Sequence, residues 1–237
     1  MGYGGSVIPY LYNRSLVYYY DQQTFTVIGH NMKDAVDRKS TRDAILDATD
    51  RLLARYGYRK MTIDDLAQEV GIGKGSIYLH FSSKEEIALT HIDRIIERLK
   101  INLASLAERS SSVDERLRNM LVERVVYRFD SVQHYSQSLN DLLSYLRPKL
   151  LERRKRHFEE EARIFAQVIS EGQASSLLIE GDAFDLAETL VTATNSLLPY
   201  SLSAFELGDR ADLAERAGKT SKLLIRGLTR KCPRGES

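Results

Sequence analysis

The chain has 237 residues, 43% hydrophobic and 28% charged, the balance of a globular protein with room for one large domain or a small one joined to a larger. Its formal net charge of +1 excludes a generally basic protein, so any nucleic-acid surface must arise from local segregation of charge. Cys232 is the only cysteine, which rules out an internal disulfide and fits a reducing cytoplasm, and no run of eighteen apolar residues offers a membrane span.

Residues 1–37 read as an N-terminal extension. Met1 to Asn31 hold six of the thirteen tyrosines, with Arg14 and Asp21 as the only charges. The stretch lacks the basic start, apolar run and cleavage site of a signal peptide, and it shows no helical period. Met32 is followed at once by charged, helix-compatible sequence, which makes it a candidate biological start, with the preceding residues non-native or disordered. Recovery of peptides upstream of Met32 from native cells would refute this. The other expectation is a β-prone arm that packs on the body.

Ser40 and Asp43 match a capping box, and Ile45, Ala48, Leu52 and Tyr56 then recur at three- and four-residue steps, predicting an amphipathic helix that ends at Gly57. Tyr58 to Met61 read as a link. Thr62 and Asp65 form the next capping box, and Ile63, Leu66, Ala67 and Val70 make one buried stripe. Gly71 falls where a left-handed cap is needed. Ile77 and Phe81, four apart, predict a second short helix anchored to the first, leaving Lys74, Gly75, Ser76, Tyr78 and His80 directed elsewhere. No acidic residue occurs from Gly71 to Lys84. A supported short helix with a polar, anion-free outer face suits insertion into the major groove of duplex DNA. An ordinary helical hairpin would instead leave Tyr78 and His80 as plain surface residues.

The run Gly71-Ile72-Gly73-Lys74-Gly75-Ser76-Ile77-Tyr78-Leu79-His80-Phe81-Ser82-Ser83-Lys84-Glu85-Glu86 resembles the recognition segment of the tetracycline-repressor (TetR) family, in its glycine turn, its Tyr-x-His-Phe and the following Lys-Glu. The resemblance implies that Tyr78 and His80 contact phosphates, that Lys84 lies beside the DNA backbone at the start of the next helix, and that the basic residues Arg38, Lys39 and Arg42 form an arm reaching the minor groove. A solvated N-terminus is the alternative for that arm. The DNA-binding set expected is therefore Thr62, Tyr78, His80 and Lys84 on the backbone, Lys74, Ser76 and Gly75 at the bases, and Arg42. Residues 38–84 are the expected helix-turn-helix domain.

Residues 85–231 read as a helical effector-binding and dimerisation domain, and 232–237 as a tail. Ser82 and Ser83 signal a helix start. Ala88, Ile92, Ile95, Leu99, Leu103 and Leu106 then keep one apolar seam, as of a long helix tying head to body. After Ser110 to Ser112, helical segments are predicted over Val113 to about Asp130, Val132 to about Leu146, Pro148 to Gly172, Asp182 to Leu198 and Asp209 to Arg230, with Pro148 in a first turn. The uncharged stretch Thr189 to Phe205 reads as a buried helix. No strand alternation appears past residue 31, so the fold expected is all-α: a three-helix head joined by a long helix to a helical body.

The basic cluster Arg147, Lys149, Arg153, Arg154, Lys155 and Arg156 reads as a solvated helix face with Glu152–Arg156 and Arg156–Glu160 pairs. The last two helices, through Leu186, Leu190, Val191, Ala193, Thr194, Leu197, Leu198, Leu213, Ala217, Leu223, Leu224, Ile225 and Leu228, offer apolar surface for a homodimer, which the resemblance also implies, or they complete the monomer's core. Tyr127, Phe129, His134, Tyr135, Tyr145, Phe165 and Asn195 are candidate lining for a small-molecule pocket.

The glycines at 71, 73 and 75 superficially resemble a phosphate-binding loop, but the Lys-Ser junction is interrupted and no strand precedes it. No metal-ligand spacing and no nucleophile elbow is present, so neither cofactor nor metal is expected. The reading is a homodimeric transcriptional regulator that binds double-stranded operator DNA and is released by a small-molecule effector. A ligand-independent architectural DNA binder and an enzyme with a borrowed head are the alternatives.

Overall fold

The computed structural model describes the backbone of residues 25–199 and 208–230, and the side chains of these except 25–39 and 136–140. Two compact units divide at Ser40: Met1–Ser40 and Thr41–Ser237. The expectations for the tyrosine-rich stretch before Phe25 and for the Cys232 tail lie outside the described residues.

Among the described residues eight α-helices follow in order: α1 (Phe25–Lys60), α2 (Ile63–Val70), α3 (Lys74–His80), α4 (Lys84–Ala107), α5 (Val113–Val132), α6 (Ser136–Ala174), α7 (Ala183–Ala193) and α8 (Arg210–Leu228). Single 3-10 turns lie at Gln133–Tyr135 and Asn195–Leu197. No strand is formed among the described residues; one bridge, Leu178 to Thr229, ties the loop after α6 to the end of α8. The fold is all-α, as expected.

Local signals hold where they are strongest. Ser83, Ser112, Asp182 and Asp209 each accept a backbone amide at the start of α4, α5, α7 and α8, satisfying donors that a helix start leaves free. Two expected helix starts fail, and the buried helix expected over Thr189 to Phe205 instead ends at Ala193, with the part from residue 200 outside the described residues. The Ser40 match is not a helix start, because α1 already begins at Phe25; nothing from Phe25 to Lys60 is proline, and a cap match is only a local preference. Gly57 (φ 71, ψ 168) does break the helical path, and a last turn to Lys60 follows it. Pro148 is likewise not in a first turn but inside the 39-residue α6. The lost hydrogen bond is tolerated because both flanks are anchored: Leu142 and Leu146 on one side, Ala162, Phe165, Val168 and Ile169 on the other, all buried.

The cores explain how head and body are joined. One cluster gathers Ile45, Leu52 and Leu53 of α1, Leu66 of α2, Ile77 of α3, and Ile87 and Leu89 of α4, together with Val132, Tyr135, Leu142 and Leu146 from the body. The second is the body's own, built on Leu99, Leu103, Leu117, Leu121, Phe165 and Ile169. The seam of α4 serves both: every predicted seam residue is buried except Leu106, which is half-buried. With 24 residues, α4 is about 36 Å long.

Inside the body Glu161 is fully buried between two fully buried arginines. Arg124 donates to it at 2.6 Å and also to Thr194 (2.8 Å) and Asn195 (2.7 Å); Arg128 closes the other side. Three helices are thereby locked in register by groups whose separation would strand a charge in apolar surroundings.

Candidate nucleic-acid interface

The α2–α3 unit is built outward from its caps. Thr62 accepts the Asp65 amide at 3.1 Å while the Asp65 carboxylate accepts the Thr62 amide at 2.9 Å and its hydroxyl at 2.7 Å. These bonds hold the Asp65 carboxyl below its usual value. At the other end Gly71 takes φ +76, a left-handed conformation that costs a side chain about 1 kcal/mol, and its amide reaches the Ala67 and Gln68 carbonyls. The chain turns there, and α3 lies with Ile77 and Phe81 buried against the head.

The opposite face of α3 is open. Leu79 is 85% and Tyr78 50% exposed, Lys74 and Gly75 are exposed, and Ser76 and His80 are half-buried. A Cβ added at Gly75 would meet nothing within 4 Å, so the packing of the head gives no reason for a glycine there. Lys74, Tyr78 and Leu79 are exposed, while His80, two residues from Tyr78, flanks them on another side of the helix and is half-buried. Leu79 was legible too, since it falls off the Ile77–Phe81 stripe.

Other expected contacts have prior commitments. Lys74 pairs with Asp64 of α2 at 2.9 Å, both well exposed, and the hydrogen bond it donates to the Asp64 carboxylate raises its pKa. The absence of acids between Gly71 and Lys84 therefore does not leave the face free of carboxylates, because α2 supplies one across the turn. Giving up Asp64 for another partner is inexpensive in an exposed pair. Thr62 spends its hydroxyl proton on Asp65.

Arg42 is not part of an extended arm, since it lies within α1. Its guanidinium donates to the His80 carbonyl at 2.9 Å and stacks 4.2 Å from the Phe81 ring centre, so it closes the C-terminal end of α3. The side chains of Arg38 and Lys39 lie outside the described residues. Lys84 donates to the carbonyls of Tyr58 (3.0 Å) and Met61 (3.1 Å) and stands 4.5 Å from the Tyr58 ring centre. Partial burial lowers its pKa. It braces the start of α4 against the link between α1 and α2. Lys60, beside Thr62 in sequence, is exposed.

Comparison with known proteins bears on the head first. The profile described as "Bacterial regulatory proteins, tetR family" matches residues 45–91, the span from the buried face of α1 to the first turns of α4. Residues 45–91 of the chain thus resemble the N-terminal DNA-binding segment of the TetR family. The chain is similar to the HTH-type transcriptional regulator EthR of Mycobacterium tuberculosis, 35% identical over 71 residues, or 30% of this chain and 33% of that one. The HTH-type transcriptional repressor KstR2 of Mycobacterium tuberculosis is 25% identical over 136 residues, 56% of this chain and 66% of that one. These matches span less than two thirds of the relatives' own length. A crystal structure of a transcriptional regulator from Cytophaga hutchinsonii shares the fold with a TM-score of 0.66 at 21% identity, covering 79% of this chain and 98% of that one.

The helix-turn-helix of α2 and α3 lies inside that matched span. The seven residues expected to line an effector pocket scatter. Phe165 and Phe129 are core, Tyr135 is buried beside the head cluster, and Tyr145 is 53% exposed with its ring 5.8 Å from that of Tyr58. Asn195 holds Arg124. Tyr127 and His134 lie along a polar cleft among α1, α4 and α5, where Asp50 approaches His134 at 3.2 Å and His91 at 3.3 Å. None lines the cavity among α4, α5 and α6, which is walled by aliphatic and arginine side chains together with Phe158, His157, Asp93 and Ser144. Of the aromatics expected there, Phe129, Tyr135 and Phe165 fill the interior instead, and Phe158, which was not among them, lines the cavity.

Of the predicted dimer surface, Leu190, Val191, Leu198, Leu213, Ala217, Ile225 and Leu228 are buried within the monomer. Leu223 is 70% exposed, and Leu186, Leu197 and Leu224 are half-buried. Glu97, His157 and Glu160 come close enough to hold a metal ion, but the Lys100 ammonium sits 2.6 Å from both carboxylates and supplies the cation itself. No described helix is long and apolar enough to cross a membrane.

Proposed function

We propose that the protein is a homodimeric repressor that binds double-stranded operator DNA through α3 and lets go when a small molecule fills the body. The single observation that carries the DNA half is the polarity of α3: Ile77 and Phe81 are pinned inside while Tyr78 and Leu79 stand out from it. In this reading Tyr78 and His80 donate to phosphates, Lys74 leaves Asp64 for a guanine edge, Ser76 and the bare backbone of Gly75 approach the bases, and Leu79 packs on a thymine methyl. Thr62 contributes at the backbone, and Arg42 and Lys84 hold the pieces that make contact. The repressor sign follows KstR2, and dimerisation through α7 and α8 rests on the outward Leu223 with Leu186, Leu197 and Leu224 at its margin. The protein works by binding rather than catalysis, in the cytoplasm.

The test is selection of genomic fragments by the purified protein followed by fluorescence anisotropy on the selected sequence. A palindromic site bound by wild type, and bound far more weakly by Tyr78→Ala with an unchanged melting temperature, is the expected result. No selected sequence at moderate salt would overturn the reading.

A further inference from the structure

The cavity among α4, α5 and α6 has a volume of about 260 Å³. Ile92 and Ile96 of α4 and Leu143, Leu150 and Phe158 of α6 supply its apolar lining. Its charged lining is lopsided: Arg128, Arg147, Arg153 and Arg154 against a single acid, Asp93. That acid is already matched, by Arg153 and by His157 at 2.8 Å, and Arg153 is matched again by Glu86.

Arg128 differs from the rest because it is 1% exposed. Its two terminal nitrogens are used, on Glu161 and on the Arg124 carbonyl (2.9 Å), but its Nε is a buried donor with no hydrogen-bond partner. A buried, cationic donor left unmade is costly. The group of Arg124, Arg128 and Glu161 also carries one positive charge more than negative. Arg147 is exposed, and Arg154 stacks 4.8 Å from the Phe158 ring centre, so cations continue from the inner wall to the opening. The basic run on α6 that reads as a solvated face thus divides. Lys149 and Arg156 do pair with Glu85 and Glu160 on the surface, while Arg147 and Arg154 turn to the cavity.

We propose that this cavity selects a small organic carboxylate on an apolar skeleton, its anionic end satisfying the Arg128 Nε and its apolar part lying along Ile92, Ile96, Leu143 and Leu150. The volume falls just below the range of drug-sized sites, so the ligand is of the size of a medium-chain or aryl-alkyl acid. That its binding releases DNA rests on the regulator reading above; the ligand selectivity does not.

Isothermal titration calorimetry on the whole protein without DNA tests the selectivity, with octanoate and 4-phenylbutyrate as probes and octan-1-ol and octylammonium as controls. Binding of at least one carboxylate with the alcohol roughly tenfold weaker, as for one charged hydrogen bond, and with the ammonium absent, is expected. Arg147→Gln and Arg154→Gln should each weaken the carboxylate several-fold and leave the alcohol unchanged. Arg128→Lys, which keeps the charge beside Glu161 but removes the Nε fork, should erase the preference for carboxylate over alcohol. Equal binding of acid and alcohol, a preference for the ammonium, or no heat from either acid up to about 1 mM overturns the proposal. Anisotropy with selected DNA is a separate arm: carboxylate binding without DNA release leaves the ligand class standing and removes the release mechanism.

Discussion

Lys84→Met separates two roles for a lysine that the family resemblance places on the DNA backbone. The substitution keeps most of the apolar stem over Tyr58 but deletes the ammonium that donates to the Tyr58 and Met61 carbonyls at 3.0 and 3.1 Å. Each such charged hydrogen bond contributes about 1.5 kcal/mol at the low end of its range, the fitting choice for a half-exposed group, and the pair about 2 to 3 kcal/mol. For a domain of this size that is a drop of roughly 4 to 12 °C in melting temperature. Because the brace fixes the entry into α2, DNA affinity should fall by a similar factor at every salt concentration, and the slope of log affinity against log salt should not change. A lysine acting by phosphate contact predicts the reverse: an unaltered melting temperature and a slope smaller by about 0.9. Scanning fluorimetry and anisotropy between 50 and 300 mM salt, on the order of the range in which counterion release is resolved, distinguish the two. The second pattern would refute the brace.

Gly71→Ala should cost about 1 kcal/mol through its φ of +76 alone, since a Cβ there meets nothing within 4 Å; an undiminished denaturant midpoint would show that the turn relaxes. Leu79→Ala should leave stability within about 0.5 kcal/mol, because the side chain is 85% exposed, yet reduce discrimination of the selected site from random DNA by roughly 1 kcal/mol; competition anisotropy measures it. Glu161→Gln strands Arg124 and Arg128 and should cost roughly 3 to 5 kcal/mol, read by urea denaturation at pH 7. Burial opposes the Glu161 charge, but Arg128 and Arg124 outweigh it and hold the carboxyl below its ordinary 4.5. Its contribution is therefore present above that pH and fades as acid carries the folded protein through the lower value. The gap between wild type and Glu161→Gln should narrow in acid, and a gap that widened would contradict the sign.

The head was legible because its signals are local. Thr62 with Asp65, the left-handed Gly71, and Ile77 with Phe81 each act within four residues, and the helix stripe needs no knowledge of what covers it. What escaped depends on partners far along the chain. Arg42 reaches His80 and Lys84 reaches Tyr58, so residues chosen for their charge as DNA contacts are found fastening helices together. Asp64 stands beside Lys74 although ten positions separate them. In the body the periodicity placed the helices but not their faces. Phe165 and Glu161 lie four apart on α6, both fully buried, and nothing in the spacing says that the glutamate meets two arginines from α5. The passage of α6 through Pro148 was missed because tertiary anchoring outweighs a single lost bond, and the start of α1 because a cap match is only a local preference.

Leu142 and Leu146 are seated in the cluster that closes the head, and their neighbours Leu143 and Leu150 line the cavity while packing against that same cluster. A molecule entering the body is thus separated from the base of the DNA-reading unit by the thickness of a leucine rather than by the length of α4. For the proposed effector release, the shared side chains Leu143 and Leu150 offer a sideways route that does not require a lever along α4.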